Sequence, residues 1–456
     1  MTHERGVKPG MSGWRSAGAP DASAAGWMND RTRDAATPTG PGRGEGRARG
    51  AVAIVRHSFY PFELNVKREA EALHGAGFDV HVICLCGDGE KRSDVLDGVR
   101  IHRLPIGHRR GKILRYLWEY NAFFLLASIH LARLHRRHRF CAVQVNTMPD
   151  YLVFAALYPK LTGARIVLHL HEPIPELFET MFGGHWYTRA FVAVVTWGEK
   201  VSIRFAHRCL TVTEEMKRNY IRRGADADRI TVIVNVPDDR FFQLERYAHL
   251  AAKVAAIKAE ERARGVFRVL THGAIEERYG FDTIVRAVAR VRADIPGLQF
   301  RFMGAGGHLA EVTDIAAREG VSDRVTHLGF VAFEQMIEEI LLADVCVVAV
   351  KRNAYSVLVH TNKMYEYVAL HRPVIASRLD SVTATFPDDA LLYFAPGNDD
   401  DLAGAFRHAF AHPEEMQRRV DAATAVYERH RWEREKQTYL AVYDGAGRTP
   451  TPGSTL

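Results

Sequence analysis

Five cysteines are spread through 456 residues, and Cys84, Cys86, Cys141, Cys209 and Cys346 form no CxxC pair. Most sit in strand-like apolar runs. They read as small core residues of a reducing compartment, which argues against a disulfide framework or a cysteine-based zinc site. A continuous run of the ~20 apolar residues needed to span a bilayer is also missing. The longest candidate, inside 108–139, is interrupted by Arg115, Glu119, Asn121 and His130. No complete dinucleotide fingerprint follows a strand. In Gly304-Ala305-Gly306-Gly307 the third glycine of that pattern would fall at Leu309, and the first strand is followed by HSFYPFELN. Nicotinamide and flavin chemistry are therefore not expected. Residues 1–49 lack hydrophobic periodicity and are rich in Gly, Ala, Pro, Ser, Thr and Arg. Disorder is expected there, and with no apolar segment behind the early basic residues, no secretory signal.

What is present is an alternation. AVAIVRH (51–57), VHVICLC (80–86) and VRIHRLP (99–105) read as strands separated by amphipathic helices, and a long helix is expected over 112–136. An Ala/Lys/Glu-rich stretch at 244–265 interrupts the pattern, which restarts with FRVLTHG (267–273). Such alternation predicts parallel sheets covered on both faces. Two blocks in a chain too long for one ordinary core predict two doubly wound, Rossmann-like α/β domains. The expected division is a tail at 1–49, a first domain at 50–243, a connector at 244–265, a second domain at 266–420 and closing helices at 421–445. Ligands of such sheets sit beyond the carboxyl ends of the strands, which predicts a site in the interdomain cleft.

Charge is uneven. The chain is net +7, yet residues 100–139 alone hold ten basic side chains and one acidic, Glu119. Two readings stand side by side: a helix packed on the first sheet with solvated basic ends, or a peripheral surface at 108–139 that meets anionic lipid. No recognisable nucleic-acid fold accompanies the charge, so nucleic acid is not an expected partner. Asp226-Ala227-Asp228 spells a DxD metal motif, but in ADADRITVIVN it reads as a capping turn before a strand.

The most informative stretch is VHTNKMYEYVALHRPVIAS, 359–377. A helix N-terminus offers unpaired N–H groups and partial positive charge, and so favours an anionic ligand. Lys363 adds a full charge there, and Glu366 supplies an acceptor for sugar or ribose hydroxyls. Asn362-Lys363-x-x-Glu366-Tyr367 followed by Pro373-Val374-Ile375 resembles the nucleotide-sugar segment of GT-B glycosyltransferases, in particular glycosyltransferase family 4. VKREAEAL (66–73), RVLTHGAIEERYGFDTIVRA, FRFMGAGG, RVTHLGF and the terminal RWEREKQTYLAVY resemble further family segments in the same order. The likeness covers nearly everything beyond the tail.

That resemblance implies a glycosyltransferase (hexosyltransferase type) of GT-B fold, with an acceptor domain first, a nucleotide-sugar domain second and closing helices that cross back to the first. It implies a nucleoside-diphosphate sugar donor, retention of configuration, a glycan acceptor and a role in cell-surface polysaccharide or glycoconjugate synthesis; a lipid-linked acceptor is the expectation that rests on the basic helix at 108–139 alone. No cofactor and no metal are expected. The implied donor-binding residues are Gly273, Arg278, Gly304, Asn362, Lys363 and Glu366. The implied catalytic residues are Arg278 and Lys363 on the leaving diphosphate and His171, at the end of LHLHEPIPELF, near the sugar or acceptor; His169 is expected in the core. Three positions depart from the family pattern. Ala274 and Tyr279 replace its usual arginine and lysine, and Leu358 replaces a glutamate eight residues before Glu366. A nucleotide-sugar epimerase of the same fold, or a non-catalytic sugar-nucleotide-binding protein, are the alternatives. The expected location is cytoplasmic, with the inner membrane face as its peripheral variant.

Overall fold

The computed structural model describes residues 49–107, 113–183 and 186–445. The expected tail, but for Arg49, lies outside them, as do residues 108–112 of the basic segment. Two sheets organise the chain. The first has eight strands in the order β3-β4-β2-β1-β5-β6-β7-β8: β1 Ala51–Phe59, β2 Asp79–Leu85, β3 Ser93–Leu96, β4 Val99–Leu104, β5 Ala142–Asn146, β6 Arg165–Leu170, β7 Arg208–Thr211 and β8 Ile230–Val232. The second has six, in the order β11-β10-β9-β12-β13-β14: β9 Phe267–His272, β10 Leu298–Met303, β11 Val325–His327, β12 Val345–Val348, β13 Val374–Ser377 and β14 Leu392–Phe394.

All pairings are parallel except β3 with β4. The sequence reading missed β3. Its four residues are largely exposed, so SDVL carries no burial pattern, and Asp97-Gly98 closes the hairpin with positive φ at both positions. By contrast β1 opens with five fully buried residues, the continuous apolar run that a strand covered on both faces requires. One further expectation is corrected. The segment 150–161, whose sequence reads as a single helix, is a 3₁₀ turn, Asp150–Ala156, before a short α-helix, Leu157–Leu161. The connector 244–265 holds helix Ala251–Ala263; Lys253 on it pairs with Glu338, and His249 in the turn just before it pairs with Glu334, both partners on helix Phe333–Leu342 of the second domain.

The domains are locked at two places. Helix Pro413–His430 runs without a break through residue 420, and helix Trp432–Ala441 then lies against helix Leu64–Gly75 of the first domain. There Tyr439 donates to Gln144 Oε1 at 2.7 Å, and the Trp432 ring lies 4.4 Å from the Arg68 guanidinium. Arg68 itself donates to Asn235 Oδ1 and the Val236 carbonyl, where the chain leaves the first sheet. The second lock is the loop before helix Asn362–Ala369. Leu358, 6% exposed, is buried in the core of the first domain with Val357 and Val359 against its edge, and its carbonyl accepts from Thr213 Oγ1 at 2.5 Å. Leu358→Ala should therefore destabilise by about 2–4 kcal/mol, as large-to-small core changes do. Urea unfolding checks this; a change below about 0.5 kcal/mol would mean that the loop is not an anchor.

Candidate functional site

Between the carboxyl ends of the two sheets lies a cavity of about 440 Å³. His171 and Glu172 line it from the first domain; Gly273, Arg278, Asn362, Lys363 and Glu366 line it from the second. The structure thus brings together six of the seven expected site residues. Gly304 is the exception, since it does not line the cavity. Its φ of +125° excludes most side chains, and an added Cβ would stand 1.9 Å from the Gly273 carbonyl oxygen. That glycine lets two strand-end turns touch.

Helix Asn362–Ala369 starts at the cavity with Thr361 as its N-cap and no side chain capping it, so its first N–H groups point at the space where an anion would lie. The Lys363 ammonium lies 4.6 Å from the centre of the Tyr279 ring, and the Arg278 guanidinium 5.0 Å from the same ring. Tyr279, standing where the family resemblance places a lysine, is a shared aromatic rest for two cations. Burial, reinforced by Arg278 and opposed by Glu366, brings Lys363 down to about 8.

Glu366 is fixed from behind. His272 Nε2 lies 2.7 Å from Glu366 Oε2, while His272 Nδ1 and backbone N lie 2.8 and 3.0 Å from the hydroxyl of the fully buried Tyr367. With Nε2–H donating to the carboxylate, Nδ1 accepts from Tyr367. The carboxylate keeps lone pairs for vicinal hydroxyls. Sequence reasoning missed His272, although it stands in the quoted THG segment; a histidine at a strand end that serves a carboxylate on a distant helix leaves no local signal. It also missed Ser377 and Tyr355. The Ser377 and Thr361 hydroxyls are buried at the cavity without a partner among the described residues. Tyr355 crosses the cleft to donate a short hydrogen bond to Glu172.

On the opposite wall, His171 stacks on His169 with ring centres 3.8 Å apart. His169 Nδ1 is 2.8 Å from the buried Glu69, which helix Leu64–Gly75 inserts behind the site. Gln144 donates to Asn146 Oδ1 at 2.6 Å, and Asn146 donates to Glu69 at 3.0 Å, which fixes its amide orientation. The Asn146 nitrogen then meets His171 Nε2 at 3.3 Å. Nε2 is therefore the acceptor, and Nδ1 carries the proton of a neutral ring. Burial, with His169, Arg56 and Arg68 nearby, holds His171 well below its usual range, so it stays neutral at physiological pH. Glu176, five residues beyond His171 and in the first turn of helix Ile174–Phe182, is anchored by Arg223 and by Asn219 at 2.7 Å, which sets that helix. Asp226 caps the turn by accepting from Asp228 N at 3.0 Å, remote in role from any cleft ligand.

Paired parallel sheets, a cleft at their carboxyl ends and a cationic helix start define a GT-B sugar-nucleotide enzyme. Residues 64–235 match the family model described as a glycosyl transferase 4-like domain, and residues 266–412 that of glycosyl transferases group 1. The chain belongs to the GT-B glycosyltransferases with family-4-like domains, whose donor is a nucleoside-diphosphate sugar. Among curated relatives, an alpha-D-kanosaminyltransferase of Streptomyces kanamyceticus is 22% identical over 375 residues, 80% of this chain and 94% of that protein. Among solved structures, sucrose-phosphate synthase from Thermosynechococcus elongatus superposes with a TM-score of 0.68 at 18% identity, covering 87% of this chain and 98% of that one. HepE of Anabaena, solved in complex with UDP, gives 0.66 at 13% identity, covering 87% and 100%.

Only the protonated form of Lys363 attracts an anion, so for a diphosphate seated beside it affinity is expected to be highest below pH 8 and to weaken as pH rises through about 8. Calorimetry across pH 6.5–9.5, a range set roughly about that value, should show this loss in the wild type and a weaker, flatter profile in Lys363→Met. Equal slopes in both would remove Lys363 from the diphosphate site.

Proposed function

We propose that the protein transfers a hexosyl unit from a nucleoside-diphosphate sugar to a glycan or lipid-linked acceptor, with retention of configuration and without a metal ion, in cell-surface polysaccharide or glycoconjugate synthesis. The observation that carries this is the pairing of Lys363 and Arg278 at an uncapped helix start inside the cleft. As the glycosidic bond breaks, negative charge grows on the leaving diphosphate. Two cations and the helix N–H groups meet that charge, the task a metal performs elsewhere. Glu366, held by His272, takes the ribose hydroxyls. The Nδ1–H of His171 donates to the sugar or orients the acceptor. With no carboxylate assigned as a nucleophile, front-face departure with the diphosphate helping to deprotonate the acceptor fits the residues best.

One observation favours the rival, a non-catalytic sugar-nucleotide-binding protein: Leu358 fills a hydrophobic anchor where the family pattern has a glutamate. Turnover decides between them and also separates the epimerase. Incubation with a panel of nucleoside-diphosphate sugars and cell-envelope extracts, in chelator, should release the nucleoside diphosphate in an acceptor-dependent way, the product's anomeric configuration being read by NMR. Arg278→Ala or Lys363→Ala should lower kcat by about 10²–10³. Donor bound but never consumed supports the rival; sugar inversion without acceptor supports the epimerase.

The lipid-linked acceptor is suggested by one face of the first domain. Helices Ile113–His138, Leu157–Leu161 and Trp186–Phe205 are carried by successive crossovers in the same direction across the sheet, so they share a face. That face exposes Leu125, Ile129, Leu161, Phe191 and Val194, with Trp118 at 65% and Trp197 at 67%, beside the basic end Arg136-Arg137. No helix among the described residues is long and apolar enough to cross a membrane. Such a surface suits a peripheral site on an anionic bilayer, at the inner face of a cell membrane. The protein should float with phosphatidylglycerol vesicles at low salt and release at high salt. Trp118→Glu with Trp197→Glu should abolish flotation; equal flotation with neutral vesicles would leave the charge without a role.

A further inference from the structure

A second cluster of side chains lies at the other end of the first sheet. Asp79 and His81 open β2, the strand whose far end faces the cleft about 20 Å away at 3.3 Å per residue. His138 is the last residue of helix Ile113–His138. One ligand atom from each of Asp79, His81 and His138 lies within 4.8 Å of the other two. The rings continue in a chain: His81 packs on His138 with centres 4.3 Å apart and on His102 at 5.2 Å, and His102 meets His130 at 5.3 Å. We propose that Asp79, His81 and His138 form a binding site for a divalent transition-metal ion of the zinc class, separate from the donor cleft.

Three features support the assignment. The donor set is two imidazoles and a carboxylate, which suits zinc and its neighbours and leaves a fourth position to water. Zinc bonds of about 2.0–2.2 Å require the three donors to draw in by only about an ångström. Second, the ring that would sit deepest is already oriented. His81 Nδ1 is 3.0 Å from His102 Nε2 and His81 Nε2 is 3.3 Å from Asp79 Oδ2, so Nε2 faces the carboxylate and Nδ1 has a partner. Without an ion, His102 Nε2–H donates to His81 Nδ1 and His81 Nε2–H donates to Asp79. An ion takes the place of the proton between Nε2 and Oδ2; the His81 proton shifts to Nδ1 and the His102 proton from its Nε2 to its Nδ1, so both rings stay neutral and His102 Nε2 accepts from His81 Nδ1–H, the outer hydrogen bond that metal-bound imidazoles commonly make. Third, the site lies at a helix carboxyl end, where the backbone dipole favours a cation.

Arg100 is the competing cation, with Nε 2.9 Å from Asp79 Oδ1. It occupies the other carboxylate oxygen and leaves Oδ2 to the ion. A bound ion would tie β2 to the last turn of the helix that carries the basic, aromatic surface.

The test is titration of the full chain, stripped with a chelator and dialysed, with Zn²⁺ and with Co²⁺. Saturable binding of one ion, a visible Co²⁺ band of tetrahedral intensity and a raised Tm are expected. His138→Ala, at the half-buried rim, should weaken binding by at least about tenfold and abolish the Tm shift. Asp79→Asn should weaken it too, a second check that leaves the helix end intact. A control is His171→Ala, because Glu69, His169 and His171 also converge in the cleft; this variant should bind as the wild type does. Absence of saturable binding, unchanged binding in His138→Ala and Asp79→Asn, or loss only in His171→Ala would each overturn the site.

Discussion

Removing an ammonium from water costs several kcal/mol unless other groups replace the lost solvation, and Lys363 is held in that condition inside the cleft. Its nearest relief is an aromatic face, Tyr279, and the carboxylate one turn on; the neighbouring Arg278 works against it. The cleft walls follow from this constraint. A site that concentrates positive charge at low dielectric is unfavourable when empty and favourable around a diphosphate, and the favour increases as the leaving group gains charge. The helix start contributes in the same sense because nothing caps it. Glu366, in turn, sits beside Lys363 with part of its acceptor capacity taken up by His272, which Tyr367 holds from behind, and the lone pairs that remain suit the ribose hydroxyls of the proposed donor.

The constraint requires both domains, so the structure invests in the seam. Leu358 and the Thr213 hydrogen bond anchor the loop that leads into helix Asn362–Ala369, and so place Lys363 relative to the opposite wall. Tyr355 with Glu172 forms a second tie across the cavity. Trp432, Tyr439 and Tyr443 then bring the end of the chain onto Arg68 and Gln144. A substitution that removes a sugar-binding glutamate therefore has a positive structural role here: the same backbone position that meets a sugar in the family pattern is used to hold the domains in register.

The fold was legible because its signals are local and repeated. Buried runs such as Ala51–Val55 and helices with one apolar face announce a parallel sheet at every turn of the chain. The pairing of Lys363 and Glu366 at the cavity was legible for a related reason: they lie a turn apart on one helix, so their common position is written in a three-residue spacing. Contacts between distant segments left no such trace. His272 at the end of β9 serves Glu366 on a helix 94 residues further along the chain, and Tyr279 matters through cations contributed by two different elements. Leu358 looked like a loss because the sequence displays the missing carboxylate and hides the hydrophobic socket. β3 was invisible because an exposed edge strand needs no apolar alternation.

The chain of groups behind His171 gives the first domain an active part in the donor site. Glu69 is buried; burial alone would raise its carboxyl, but His169, Asn146 and Arg68 hold it below its ordinary value, so it is an anion. Its charge settles on His169 and on the two amides, and those amides decide that Nε2 of His171 accepts. A neutral donor with its proton on Nδ1 is thereby specified by residues from helix Leu64–Gly75, β5 and β6 together. Gln144 carries the specification further, since its amide nitrogen reaches Glu69 while its oxygen accepts from Tyr439 and Tyr443. The closing helix thus completes the hydrogen-bond set that orients the His171 wall of the cleft, which explains in physical terms why the end of the chain returns to the domain where it began.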